Sequence, residues 1–105
     1  MAKYTQEEWL AEAKKRFGND PKNWKFVCPA CGHVQTQQEF IDAGSDLYAY
    51  YCCIGRATGK GSPVEGDSSG CNWTAGGFFG TLGKGDVVIT PDGKEHNVFR
   101  LADPE

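Results

Sequence analysis

Apolar positions in the first eighteen residues recur at helical spacing. Trp9, Leu10, Ala13 and Phe17 fall on one face of a helix. Thr5-Gln6-Glu7-Glu8 precedes them as a capping box, in which the Thr5 hydroxyl accepts from the Glu8 N–H and the Glu8 carboxylate reaches back to the Thr5 N–H. Glu7, Glu8 and Glu12 lie early and Lys14, Lys15 and Arg16 late, the order that suits the helix dipole. Gly18 stops the helix and Asn19-Asp20-Pro21 turns the chain, so an N-terminal amphipathic helix is assigned to residues 1–18.

Beyond it the period shortens. Trp24-Lys25-Phe26-Val27 predicts a short strand running into Cys28. Thr36-Gln37-Gln38-Glu39 repeats the capping-box pattern and predicts a helix over 37–43, closed by Gly44, with Phe40 and Ile41 turned inward. Tyr48-Ala49-Tyr50-Tyr51 predicts a second strand, again running into cysteine. Between Gly55 and Gly85 stand ten of the 14 glycines. The first half of that stretch is polar and predicts a long loop; strand-like pieces are expected at Trp73-Thr74 and Phe78-Phe79. Asp86-Val87-Val88-Ile89-Thr90 and the run 95–101 flank Pro91-Asp92-Gly93-Lys94. That predicts a β-hairpin over 86–101, with Gly93 in a left-handed conformation.

Composition changes the picture at one point. Leu, Ile, Val and Phe together make up only 19 of the 105 residues, close to the level below which chains stay disordered. The net charge of −3 is too small to hold a chain open, and 3 Trp and 4 Tyr add buriable surface. A domain this lean in aliphatic side chains calls for a staple. Five cysteines are available: Cys28, Cys31, Cys52, Cys53 and Cys71. The first residues lack the apolar stretch of an export signal and no apolar run is long enough to span a bilayer, so the expected compartment is the cytoplasm. An odd number of thiols in a reducing compartment points to metal rather than disulfides.

Cys28-Pro29-Ala30-Cys31-Gly32-His33 has the form of a zinc knuckle. The two-residue gap lets both thiolates reach one ion, Pro fixes one backbone angle, and Gly after the second Cys tolerates the turn. A structural zinc needs four ligands. The second pair must come from Cys52, Cys53, Cys71, His33 or His96; Cys53 and Cys71 are the assignment. Cys53-Ile54-Gly55 enters a turn from a strand, and Gly70-Cys71-Asn72 leaves the glycine-rich insert. Loop closure grows only logarithmically with length, so a long insert between two ligands is tolerable. On a continuous strand Cys52 and Cys53 face opposite ways; Cys53 is chosen because Gly55 follows closely, leaving Cys52 as a small buried hydrophobe. His33 is expected to cover the site and His96 to be solvated.

Competing chemistry is weaker. A redox CxxC sits at a helix N-terminus, whereas here the next helix signal begins only at Thr36. No HExxH or HxE motif of a catalytic zinc site is present. Gly55-Arg56-Ala57-Thr58-Gly59-Lys60-Gly61-Ser62 fails as a phosphate loop, because three residues rather than four separate its first glycines and Gly61 takes the place of the Mg²⁺-binding hydroxyl. Lys14-Lys15-Arg16 is the only dense basic cluster, and it reads as a solvated helix end rather than a phosphate-binding face.

At Tyr4-Thr5-Gln6-Glu7-Glu8-Trp9-Leu10, Asn23-Trp24-Lys25-Phe26-Val27-Cys28-Pro29, Cys53-Ile54-Gly55-Arg56 and Gly70-Cys71-Asn72 the chain resembles a family of small phage- and prophage-encoded proteins with a zinc-ribbon core. The resemblance implies a phage setting and the Cys of the CIGR stretch, here Cys53, as a ligand. The resulting expectation is one α+β domain over 1–105. It has a zinc ribbon over 24–80 with its glycine-rich insert, an N-terminal helix and a C-terminal hairpin. Cys28, Cys31, Cys53 and Cys71 are expected to hold one structural Zn²⁺. The expected role is a non-enzymatic module that binds a host or phage protein in the host cytoplasm. Nucleic acid is the second candidate partner, a CPAC thiol redox protein is a third reading, and a membrane is not expected.

Overall fold

In the computed structural model, residues 3–76, 80–82 and 84–103 are described. The chain folds as α+β: short helices and two three-stranded sheets. Strand β1 (Lys3–Thr5) leads directly into helix α1 (Gln6–Phe17). Strand β2 (Lys25–Val27) and strand β3 (Val34–Thr36) form a hairpin, followed by helix α2 (Gln37–Asp42) and a single-turn helix α3 (Gly55–Thr58). Strands β4 (Asp86–Ile89), β5 (Glu95–Val98) and β6 (Arg100–Leu101) complete the order. One sheet runs β1-β4-β5, with β1 parallel to β4 and β5 antiparallel to it; the other runs β3-β2-β6, all antiparallel.

The helix forms as its caps dictate. Glu8 N–H donates to Thr5 Oγ1 at 3.1 Å and Thr5 N–H to Glu8 Oε1 at 2.8 Å, a reciprocal pair worth about 1 kcal/mol. Trp9 and Ala13 are buried, and Leu10 and Phe17 pack half-buried beside them. Trp9 is the hub of an aromatic cluster, with ring centroids 6.4 Å from Trp24, 6.0 Å from Phe26 and 5.7 Å from Tyr50. The basic helix end is not fully solvated: Arg16 pairs with Glu12 at 2.6 Å and donates to the carbonyls of Leu101 and Ala102. One of the three clustered cations is therefore spent on holding the chain beyond β6.

Four local expectations are corrected. Residues 3–5 form a strand, too short to show a period, whose partner β4 lies far along the chain. Tyr48-Ala49-Tyr50-Tyr51 is a turn, in which the Tyr48 carbonyl accepts from the N–H groups of Tyr51 and Cys52. Only Tyr50 of its three aromatics serves the core, packing on Trp9 and Phe26, while Tyr48 and Tyr51 are exposed. Ile41 is 48% exposed while Phe40 is fully buried, because six residues of helix present only one of two adjacent side chains to the core. The C-terminal hairpin forms as expected over β4 and β5, with Gly93 at φ +84°, but its second arm does not run on to Leu101. At Phe99 the chain leaves β5, the Phe99 N–H goes to the Tyr50 carbonyl, and β6 joins the other sheet beside β2. The strand piece expected at Phe78-Phe79 lies outside the described residues, and that at Trp73-Thr74 is reduced to one bridge, Cys52 to Thr74.

Candidate metal centre

The β2–β3 hairpin builds the first half of the site. Its turn is closed by two backbone bonds: Cys28 N–H to the His33 carbonyl at 3.0 Å and Gly32 N–H to the Cys28 carbonyl at 3.0 Å. Gly32 takes φ +80°, in the left-handed region that glycine enters without strain. The turn thus points Cys28 and Cys31 to the same side.

The second half is assembled from residues far apart in sequence. Cys53 N–H donates to the Trp73 carbonyl at 2.9 Å, and Ala75 N–H to the Tyr51 carbonyl at 2.7 Å. That short antiparallel crossing brings the two ends of the glycine-rich insert together. The insert is not all loop. It opens with α3, and its return is held by Asn72 N–H to the Gly61 carbonyl and by Arg56 Nη1 to the Asn72 carbonyl. Gly55 lies directly under Cys71, where a Cβ would stand 2.3 Å from the Cys71 carbonyl oxygen. The first glycine of the 55–62 stretch is thus buried against a cysteine backbone.

Cys28, Cys31, Cys53 and Cys71 come together, their sulfurs all within 4.8 Å of one another. Cys28 Sγ is 3.7 Å from Cys71 Sγ, and Cys31 Sγ is 3.7 Å from Cys53 Sγ. Cys28, Cys53 and Cys71 are buried, and Cys31 is half-buried. Such a set could hold one metal ion. Charge within it is uneven. The neighbouring Cys28 thiol, together with the Gly55 and Cys71 N–H groups and Cys31, lowers Cys53 to about 5 against the opposing effect of burial. The Cys71 N–H lies 3.3 Å from the Cys53 sulfur. The same pairing with Cys53, followed by burial, raises Cys28, and burial raises Cys71 to about 12. A sulfur whose thiolate form is favoured, with three more sulfurs beside it, suits a cation.

The other candidates stand apart from the cluster. Cys52 is buried and outside it, its thiol raised by burial. We expect Cys52→Ala to leave metal content unchanged while Cys53→Ala abolishes it, as read by native mass spectrometry. His33 has both ring nitrogens engaged: Nδ1 lies 2.9 Å from the Ser68 carbonyl oxygen and Nε2 3.1 Å from Glu39 Oε2. It ties the insert to α2 beside the knuckle. The tie has a visible cost, because Glu39 serves His33 instead of completing the second capping box, of which only Glu39 N–H to Thr36 Oγ1 remains. His96 is exposed on β5, 3.5 Å from Thr90 Oγ1.

Sequence reasoning missed Gln35. This side chain is 1% exposed. Its Nε2 donates to the carbonyls of Ala49 and Cys52 at 2.7 and 2.6 Å, and its Oε1 accepts from Ile54 N–H at 2.8 Å. Those bonds bracket Cys53 and fix the tyrosine turn to β3. Gln37 adds a second clamp, donating to Leu47 and accepting from Ala49 N–H. The pattern gave no signal, because β3 is inverted: Val34 is 49% exposed and Gln35 points inward. Gln35→Leu leaves two carbonyls and one N–H without partners, at about 1–3 kcal/mol for each group that stays dry. Urea unfolding of the metal-loaded variant should show a loss of about 3 kcal/mol or more, with weaker metal retention against a chelator.

Among the described residues no helix is long and apolar enough to cross a membrane. A family model described as VVA0879-like matches residues 5–102, so the chain belongs to that family. Neither a curated protein nor a solved structure matches the chain.

Proposed function

We propose that this member of the VVA0879-like family holds one structural Zn²⁺ on Cys28, Cys31, Cys53 and Cys71, and that the zinc ribbon so formed is a non-enzymatic binding module. The sulfur cluster carries the reading. Zinc–thiolate bonds of ~2.3 Å in a tetrahedron place the sulfurs ~3.8 Å apart, and two pairs stand at 3.7 Å. Four thiolates fill a tetrahedral shell and leave no position for a substrate, the arrangement of structural rather than catalytic zinc. The bound ion would supply cross-linking and charge neutralisation, and the chain's residues orient the thiolates. Gln35 and the Gly55–Cys71 contact set Cys53 and Cys71, and the Cys28–Gly32 turn sets the first pair.

The partner we propose is a host or phage protein, met in the cytoplasm of a phage-infected cell. The resemblance to phage-encoded ribbons supports the setting. The acidic balance, with Arg16 already paired to Glu12, favours a protein partner over the phosphate backbone of a nucleic acid. Native mass spectrometry of purified protein should give one zinc per chain. A different metal, or none in a folded protein, would sink the zinc reading. Pull-down with the metal-loaded tagged protein from infected cells should recover a reproducible partner. A gel shift that survives competitor and weakens steeply with salt would favour nucleic acid instead. Fast alkylation of Cys28 in the metal-loaded protein would favour the thiol redox alternative.

A further inference from the structure

The thiols are not equally hidden. Cys28 is 1% exposed and Cys53 and Cys71 are 0% exposed, whereas Cys31 is half-buried. The fifth thiol, Cys52, is 5% exposed and stands outside the cluster. A cavity of about 360 Å³ opens on the knuckle and is lined by Cys28 and Cys31 but not by Cys52, Cys53 or Cys71. Its size lies in the range of small-ligand sites. Cys31 is therefore the cluster thiol that a reagent in this opening can reach.

Two cations share the opening. The register of β6 sets Arg100 beside Val27 at the end of β2. Lys84 is placed by a turn in which its N–H donates to the Thr81 carbonyl. Gly85 then packs closely, since a Cβ there would stand 2.5 Å from the Val98 carbonyl oxygen. Both cationic side chains are exposed, and among the described residues neither forms an ion pair. The Arg100 guanidinium has one contact with a carbonyl, that of Leu101 at 3.4 Å. No Asp or Glu lines the cavity, in a chain whose net charge is −3. Positive charge is thus gathered where a sulfur of the cluster can be reached.

We infer that Cys31 is a site of thiol–disulfide exchange for low-molecular-weight disulfides that carry carboxylates. Held as a metal ligand, the Cys31 sulfur is a thiolate, the form that attacks a disulfide. It attacks one sulfur of the incoming molecule, whose S–S bond breaks as a new S–S bond forms to Cys31. The other half leaves as a thiolate with the electron pair. The disulfide is the oxidant, and no further co-reactant is consumed. Lys84 and Arg100 hold the carboxylates by charge-assisted hydrogen bonds while the sulfurs meet. In the mixed disulfide Cys31 has lost its negative charge, so the ion keeps three thiolates and is released. Release of the ion rests on the zinc reading above; the site of attack does not.

The test uses the purified protein after native mass spectrometry has counted its zinc. Two aromatic disulfides are compared at neutral pH: dithiobis(nitrobenzoate), a dianion, and dithiodipyridine, which is uncharged. Each is added substoichiometrically. Release of the coloured thiol gives the rate, and acid quenching with tandem mass spectrometry locates the first adduct. That adduct should be on Cys31 and should be accompanied by loss of zinc. The double variant Lys84→Gln, Arg100→Gln should slow the dianion about tenfold, the effect of removing local electrostatic steering, and leave the uncharged reagent unaffected. The double variant Lys22→Gln, Lys94→Gln removes the same charge at positions that do not line the cavity, and it should change neither rate. A first adduct on Cys28, Cys52, Cys53 or Cys71, zinc retained on the Cys31 adduct, or equal slowing of both reagents overturns the inference. Zinc-free protein that still reacts first at Cys31, with the same charge dependence, sinks the zinc reading and leaves the site of attack standing.

Discussion

Removing the metal from the loaded protein with a chelator at neutral pH should abolish the native NMR dispersion of the knuckles and lower stability by more than any single substitution away from the ligands. The thiols are crowded: four sulfurs lie within 4.8 Å, three of them on buried cysteines. With an ion, that crowding is coordination; without one, the sulfurs keep only their contacts with one another and with the Cys71 N–H. Structural zinc contributes on the order of 10 kcal/mol in small domains, comparable with the whole stability of an ordinary domain at ~5–15 kcal/mol. Few aliphatic side chains stand in reserve, since the large fully buried side chains are Phe40, Phe99 and Gln35 beside the cysteines themselves. Acid should act as the chelator does, because each ligand thiolate must take its proton back before the ion leaves. Unchanged dispersion in demonstrably metal-free protein would overturn this expectation.

Gly55→Ala should also be strongly damaging, although it adds one methyl group. The new Cβ would lie 2.3, 2.4 and 2.6 Å from the carbonyl oxygen, nitrogen and carbonyl carbon of Cys71. All three are backbone atoms, so no rotamer change relieves the overlap. Either α3 or Cys71 must move, and moving Cys71 carries its sulfur out of the cluster. Overpacking of this severity costs about 3 kcal/mol or more, and metal affinity should fall with it. Gly61→Ala is the control. It lies in the same insert, with no atom within 4 Å of its added Cβ and no positive φ, so it should keep native stability and metal content. Calorimetric melting and chelator competition on the two variants read both effects; equal behaviour would refute the close-approach argument.

The sequence shows most clearly where chemistry constrains neighbours. The capping box of α1, the CPAC turn with its left-handed Gly32, and the Gly93 hairpin are each written in a few adjacent residues, and each forms. The grouping of Cys53 and Cys71 with the first pair could be reasoned from ligand number, but the means of bringing them together could not. That depends on a crossing between residues near 52 and 74 and on a glutamine from a different hairpin, contacts that no period or motif encodes. The tyrosine run misled because aromatic residues suit strands and cores equally, and its turn is fixed by partners outside it. Strand β1 escaped notice for the same reason: three residues carry no pattern until β4 lies beside them.

The switch of the chain from one sheet to the other at Phe99 has a consequence for synthesis. Every thiol of the cluster lies between residues 28 and 71, whereas β4, β5 and β6 all come from residues 86–101. A ribosome therefore delivers the complete sulfur set before either sheet can close. On the nascent chain, an ion held by the thiols as proposed would be captured apart from the formation of the sheets, and that capture would organise the polypeptide while the long-range pairings, the slowest to search for, are still to come.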